Sequence, residues 1–204
     1  MPVTNPPWLL LLDLDGLVRR WPPHQLDIER RYGLASGAIH AAAFDPELLC
    51  QVITGRIDDE SWRTQVRLRL AEEIGEHGAA SAVSQWSESP GEVDAAVLAV
   101  VDQYDIAVVL ATNAPSRLSD DLRRLRIQHR FLHVVNSSDV GAAQPDVAFF
   151  AAALAVAEAS PAEVLFVDDS AENARAAADL GICTHHYTGI EGLRRSLDAQ
   201  TRAA

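Results

Sequence analysis

The chain is 204 residues long, which suits one domain or one domain carrying a small insertion. Its 48% apolar content allows a sizeable core, its 23% charged content is that of a soluble protein, and no apolar run reaches the length of a membrane span. The formal net charge of −12 opposes nucleic acid and anionic lipid at long range, and it opposes a phosphorylated ligand too unless a metal or local arginines reverse the field.

The opening MPVTNPPW has no basic segment, and the apolar run from Trp8 to Leu12 is too short for a signal core, so the expected location is cytoplasmic. That run ends on Asp13 and reads as a strand buried on both faces, as in parallel sheets. Asp15-Gly16 breaks it. From about His24 to Trp86 the pattern is helical and no strand pattern appears. Trp62, Val66, Leu70 and Ile74 recur about one turn apart, and Asp58 suits the N-cap before them.

After Pro90 strands and helices alternate. A helix is expected near 92–103, a strand at 106–111 and a helix at about 115–125. A short strand at 132–136 and a helix at about 145–159 follow. The last elements are a strand at 164–167, a helix through Glu172 and Arg175, a strand at 182–185 and a helix from about Glu191. Such alternation indicates right-handed βαβ units and a parallel sheet. The reading is therefore an α/β chain: a Rossmann-like parallel-sheet core of residues 1–17 plus 90–204, with an all-helical insertion of residues 18–89 rising from the first strand.

Ligands of open α/β sheets bind at the carboxyl ends of the strands. The polar residues collect there: Asp13 and Asp15, Thr112 and Asn113, Gln144 before Pro145, and Asp168 with Asp169. Four carboxylates on neighbouring strand ends repel one another unless a divalent cation or protonation intervenes, and hard oxygen donors suit Mg²⁺. The two cysteines, Cys50 and Cys183, are too few and too far apart for a disulfide framework or a zinc site, and are expected to be buried or neutral thiols. His185 and His186 alternate along a strand and so face opposite ways, which argues against a shared metal.

The segments LLLLDLDGLV, VVLATNAP, VGAAQPDVAFF and VLFVDDSAENARAA resemble, in order, the four motifs of the haloacid-dehalogenase superfamily of hydrolases. The helical insertion resembles the cap of members whose cap lies between the first two motifs. The resemblance implies a phosphatase with these roles. Asp13 is the nucleophile that forms an aspartyl-phosphate, and Asp15 is the general acid/base, its carbonyl also on the metal. Thr112 donates to the phosphoryl oxygens, with Asn113 beside it. Asp169 is a metal ligand, and Asp168 binds through water or orients its neighbour. Mg²⁺ is the implied cofactor, and a small phosphorylated metabolite the implied partner. The dehalogenases lack an aspartate at the Asp15 position, which favours phosphoryl transfer.

Gln144 departs from the pattern, because the family has a lysine there. All seventeen basic residues of this chain are arginines, so no lysine can substitute. Losing one preorganised donor costs roughly 10²–10³ in rate. Two readings stay open, a working but slowed enzyme and a non-catalytic phosphate-binding or regulatory protein. Arg20 and Arg117 are candidates to replace the charge. Arg20, in the Arg19-Arg20-Trp21 segment after the first motif, is also the candidate substrate contact. Arg56 and Arg63 are expected to be solvated.

Overall fold

The computed structural model describes residues 8–203. Five parallel strands form the central sheet: β1 (Leu9–Leu12), β4 (Ala107–Thr112), β5 (His133–Asn136), β6 (Val164–Asp168) and β7 (Cys183–His186). Their order is β5-β4-β1-β6-β7. β1 lies at the centre, paired with β4 on one side and β6 on the other, with Leu12 level with Leu110 and Val167. Its four leucines are all buried, and they alternate between the two faces. Leu10 and Leu12 pack with α5 (Ala95–Val101), α6 (Leu118–Arg124) and α10 (Ile190–Ala203), whereas Leu9 and Leu11 pack with α8 (Val147–Ala157) and α9 (Ala171–Asp179). A side chain buried on this scale stabilises by about 1.5–3 kcal/mol. That double burial is why the strand reads as an unbroken apolar run.

The chain leaves the sheet after β1 and returns before α5 through a two-stranded antiparallel ribbon, β2 (Arg19–Arg20) with β3 (Glu92–Val93). The helix expected near 92–103 therefore starts later. Glu92 and Val93 pair with Arg20 and Arg19, and the Asp94 side chain caps α5 by accepting from the Ala96 and Val97 N–H groups. Between the two ribbon strands stand α1 (Gln25–Tyr32), α2 (Ala38–Ala43), α3 (Pro46–Ile53) and α4 (Asp59–Trp86).

These helices bury their own core around Ile39, Val52, Trp62, Val66 and Leu70, separate from the two clusters flanking the sheet. Asp58 caps α4, its side chain accepting from the Ser61 N–H at 2.8 Å, and Gly75 breaks the helical backbone within α4. Two of the contacts between the helical unit and the sheet side lie at the start of α4 and just after α3. The Asp59 N–H donates to Ser116 Oγ at 3.1 Å. Gly55 lies so close to the Ser138 carbonyl, at the short helix α7 (Ser137–Val140), that a Cβ there would come within 2.1 Å of it. Both cysteines are free and exposed, which corrects the expectation of burial. Among the described residues no helix is long and apolar enough to cross a membrane.

Candidate functional site

The carboxyl ends of β1, β4 and β6 meet at one rim of the sheet. Asp13 follows β1 directly and is buried, its N–H donating to the Val167 carbonyl of β6 at 3.0 Å. Asp168 ends β6, and Asp169 follows it. Asp13, Asp168 and Asp169 each present a carboxylate oxygen, and the three oxygens lie within 4.8 Å of one another. The chain turns back after Asp13 at Gly16, which has φ +78°, and the Asp169 carboxylate occupies the space beside it. A Cβ at Gly16 would meet Asp169 Oδ2 at 1.9 Å. Only glycine permits both that backbone conformation and that approach.

Burial is the main effect raising the Asp13 carboxyl well above the usual carboxylate range. The charges of Asp168 and Asp15 add to it, and hydrogen bonds from the Leu14 N–H and the Thr112 hydroxyl oppose it. Burial likewise raises Asp168, against the Ser170 N–H (2.7 Å) and Asn173 Nδ2 (3.1 Å) that donate to it. Asp169 is raised by burial as well. Three crowded carboxylates resisting ionisation, all hard oxygen donors, form a set that fits Mg²⁺.

Thr112, the last residue of β4, is buried and its hydroxyl reaches Asp13. Asn113 turns to its neighbour. Its Nδ2 donates to the Gln144 carbonyl at 2.9 Å and its Oδ1 accepts from the Gln144 N–H at 2.8 Å. The Gln144 side chain is buried in the same network. Its Nε2 donates to the Ala111 carbonyl at 3.0 Å, and its Oε1 accepts from Asn173 Nδ2 at 3.0 Å. Gln144 therefore braces Asn173, which in turn holds Asp168.

Asp15 lies apart from the three converging carboxylates, at the mouth of a cavity of about 340 Å³ between the helical unit and the sheet rim. Arg19 grips it with two bonds of 2.7 Å, from Nε to Oδ1 and from Nη2 to Oδ2, and Trp21 Nε1 donates to Oδ1 at 2.8 Å. The Arg19 guanidinium lies 4.5 Å from the Trp21 ring centre and also reaches Asp121 at 3.4 Å.

Arg20 is elsewhere. It is exposed, pairs with Asp94 and does not line the cavity. Arg117 does line it, but is tied to Asp121 and to the carbonyls of Ser87 and Ser89. Arg56 is exposed, whereas Arg63, expected in solvent, lines the cavity and pairs with Asp59 at 2.7 Å, its Nε buried without a partner. His186 Nε2 sits 3.0 Å from the Asp169 carbonyl, and neither histidine joins the carboxylate group. Adjacent arginines at 19 and 20 offered no signal for which would turn inward, because β2 alternation sends the two to opposite sides. Asn173, three residues past the Ser170 cap of α9, was legible only as part of a helix.

A parallel α/β sheet with carboxylates gathered at its central strand ends defines a metal-assisted hydrolase class. The family model of haloacid dehalogenase-like hydrolases matches residues 41–181, and the chain belongs to that family. The matched stretch includes Thr112, Gln144, Asp168 and Asp169. No curated protein sequence matches the chain significantly.

Several solved structures share the fold. An HAD family enzyme of Bacteroides thetaiotaomicron, in complex with magnesium and inorganic phosphate, is 19% identical at TM-score 0.67, over 87% of this chain and 92% of that one. A predicted HAD-like family hydrolase from Porphyromonas gingivalis is 24% identical at TM-score 0.68, over 93% and 97%. A 2-haloacid dehalogenase from Pseudomonas syringae is 18% identical at TM-score 0.63, over 97% and 99%.

Proposed function

We propose that this hydrolase is a Mg²⁺-dependent phosphomonoesterase acting on a small phosphorylated metabolite of the cytoplasm, with α1–α4 as the cap over its site. The observation that carries the reading is the convergence of the Asp13, Asp168 and Asp169 oxygens within 4.8 Å, with Asp15 two residues beyond the first. These carboxylates and the Asp15 carbonyl would hold Mg²⁺. When bound, the ion supplies charge neutralisation at the carboxylates and at the phosphoryl group.

An Asp13 oxygen attacks phosphorus while the bond to the leaving oxygen breaks, and Asp15 gives that oxygen a proton. Asp15 then takes a proton from water, whose oxygen attacks the aspartyl-phosphate. Asp13 is freed and phosphate leaves. Thr112 orients Asp13 in the free protein and would turn its one hydroxyl proton to a phosphoryl oxygen once the substrate is seated, while Arg19 and Trp21 position Asp15 between the two half-reactions. The test is Mg²⁺-dependent phosphate release from a panel of phosphorylated metabolites, run beside Asp13→Asn. Release that persists in Asp13→Asn, or none from a folded, Mg²⁺-binding wild type, overturns the reading.

One observation favours a second reading, a non-catalytic phosphate-binding protein. The Gln144 amide is hydrogen-bonded to Ala111 and Asn173, so the family's lysine position holds no charge. Inorganic phosphate bound in the presence of Mg²⁺, with no ester turned over, is its signature.

A further inference from the structure

The cavity beside Asp15 has walls made of rings. Trp21, Phe44, Trp62 and Trp86 line it together with Leu49 and Ile53. Trp62 stands edge-on to Phe44 at 6.5 Å and to Trp86 at 5.4 Å. Two of the three indole N–H groups are already used: Trp62 Nε1 donates to the Ala43 carbonyl at 3.0 Å, and Trp21 Nε1 to Asp15. Phe44 and Trp21, both lining the cavity, are nonetheless about half exposed, at 43% and 50%. Its volume of about 340 Å³ lies at the low end of small-molecule sites, roughly 300–1,000 Å³.

The charges of the wall cancel one another. Arg19 pairs with Asp15 and Asp121, Arg117 with Asp121, and Arg63 with Asp59. Each arginine already has its carboxylate, with only Arg63 Nε left without a partner, so the charge of a second acidic group on a ligand would find no uncompensated guanidinium among them. The wall also carries His24, Gln25, His40, Ser87, Ser89 and Asn113, but where a polyol faced the rings it would exchange water for carbon and lose hydrogen bonds that the rings cannot return. A flat apolar group meets neither penalty and gains edge and face contacts with the rings.

We propose that the cavity takes an uncharged aromatic leaving group, which makes the preferred substrate an arylalkyl phosphomonoester rather than a sugar phosphate or a phosphate bearing a second acid. The inference rests on the phosphomonoesterase reading above for the phosphate end. Asp15 and Asn113 belong to the same wall, so a ring seated here brings its ester oxygen to the side where Asp15 stands.

The experiment compares kcat/KM for phenethyl phosphate, ethyl phosphate and a hexose phosphate esterified at its primary hydroxyl. All three are primary alkyl esters with leaving groups of similar basicity, so their ratio reads the cavity rather than intrinsic lability. Phenethyl phosphate is expected to exceed ethyl phosphate roughly 10–100-fold, the span that burying one phenyl ring supports, with the hexose ester no better than ethyl. Phe44→Ala is expected to cut the phenethyl-to-ethyl ratio about tenfold, since it removes one ring contact and its buried area.

Equal kcat/KM for the three esters overturns the aromatic assignment and leaves the hydrolase standing. If no ester is turned over, the phosphomonoesterase reading falls, and the assignment is decided by titrating phenethyl and ethyl phosphonates against the fluorescence of the cavity tryptophans. Tighter phenethyl binding, weakened in Phe44→Ala, supports it. Equal binding overturns it.

Discussion

The rim of the sheet and the wall of the neighbouring cavity handle charge in opposite ways. At the rim, Asp13, Asp168 and Asp169 crowd their oxygens together, and burial raises all three. In the cavity, the side chains of Arg19, Arg63 and Arg117 are matched by Asp15, Asp59 and Asp121. The first arrangement is unfavourable until a cation arrives. The second is complete as it stands and attracts no further charge. In the proposed phosphomonoesterase the rim would serve the ion and the phosphoryl group, and the neutral cavity would serve the rest of the substrate. Asp15 belongs to both regions, since it raises Asp13 across the rim while Arg19 and Trp21 hold its carboxylate on the cavity side.

The contrast can be broken most directly at Asp13. Asp13→Asn should lower phosphate release by a factor on the order of 10⁴–10⁶, because an amide cannot form the aspartyl-phosphate. The same change should raise the Mg²⁺-free Tm, since it deletes a buried like charge at the rim. A variant that loses activity and also melts lower without Mg²⁺ would contradict the account of rim repulsion.

Gln144→Lys is the next largest effect. It adds to the rim the one charge it lacks and should raise kcat, by up to roughly 10²–10³. Arg19 and Arg117 are tied to Asp15 and Asp121, so neither already supplies that charge. An unchanged, brisk rate would show that the rim is compensated by some other group.

Mg²⁺ itself should raise the Tm of the wild type by about 5–10 °C. Saturation at a hundredfold over Kd is worth about 2.7 kcal/mol, and each kcal/mol moves a chain of this size about 2–4 °C. Asp169→Asn should reduce the shift, whereas Phe44→Ala in the cavity should leave it in place. Equal loss in both variants would erase the distinction between the regions.

The smallest effect concerns pH. Burial pushes the Asp59 carboxyl up to about 6, with Arg117 opposing it and Asp121 and Asp58 adding to it. A carboxyl raised in the folded state binds its proton more tightly there than in the unfolded chain, where it titrates near 3.9. The folded state therefore holds more protons between about pH 4 and 6, and stability falls as pH rises through that window. In Asp59→Asn the Tm should decline less between pH 4 and 7, by a few degrees. Superimposable Tm profiles for the two proteins would remove Asp59 from the account.

The rim was legible from residue order, and the cavity was not. Leu9–Leu12 and Val164–Val167 are buried on both faces, so each appears as a continuous apolar run, and a carboxylate that follows such a run has to stand at a strand end. Local sequence carries that information because burial of a central parallel strand leaves no polar position within it. The helical periodicity of Trp62, Val66 and Leu70 was readable for the same reason.

Partners across the fold were not readable. That Arg19 rather than Arg20 grips Asp15 depends on the register of a two-residue ribbon with Glu92–Val93, more than seventy residues further along the chain. That Gln144 spends its amide on Ala111 and Asn173, and that Arg63 faces the cavity rather than water, depend on how separate elements dock. Side-chain periodicity records which face of an element is buried. It does not record what that face meets, and the choice of partner was made only when the helices closed over the end of the sheet.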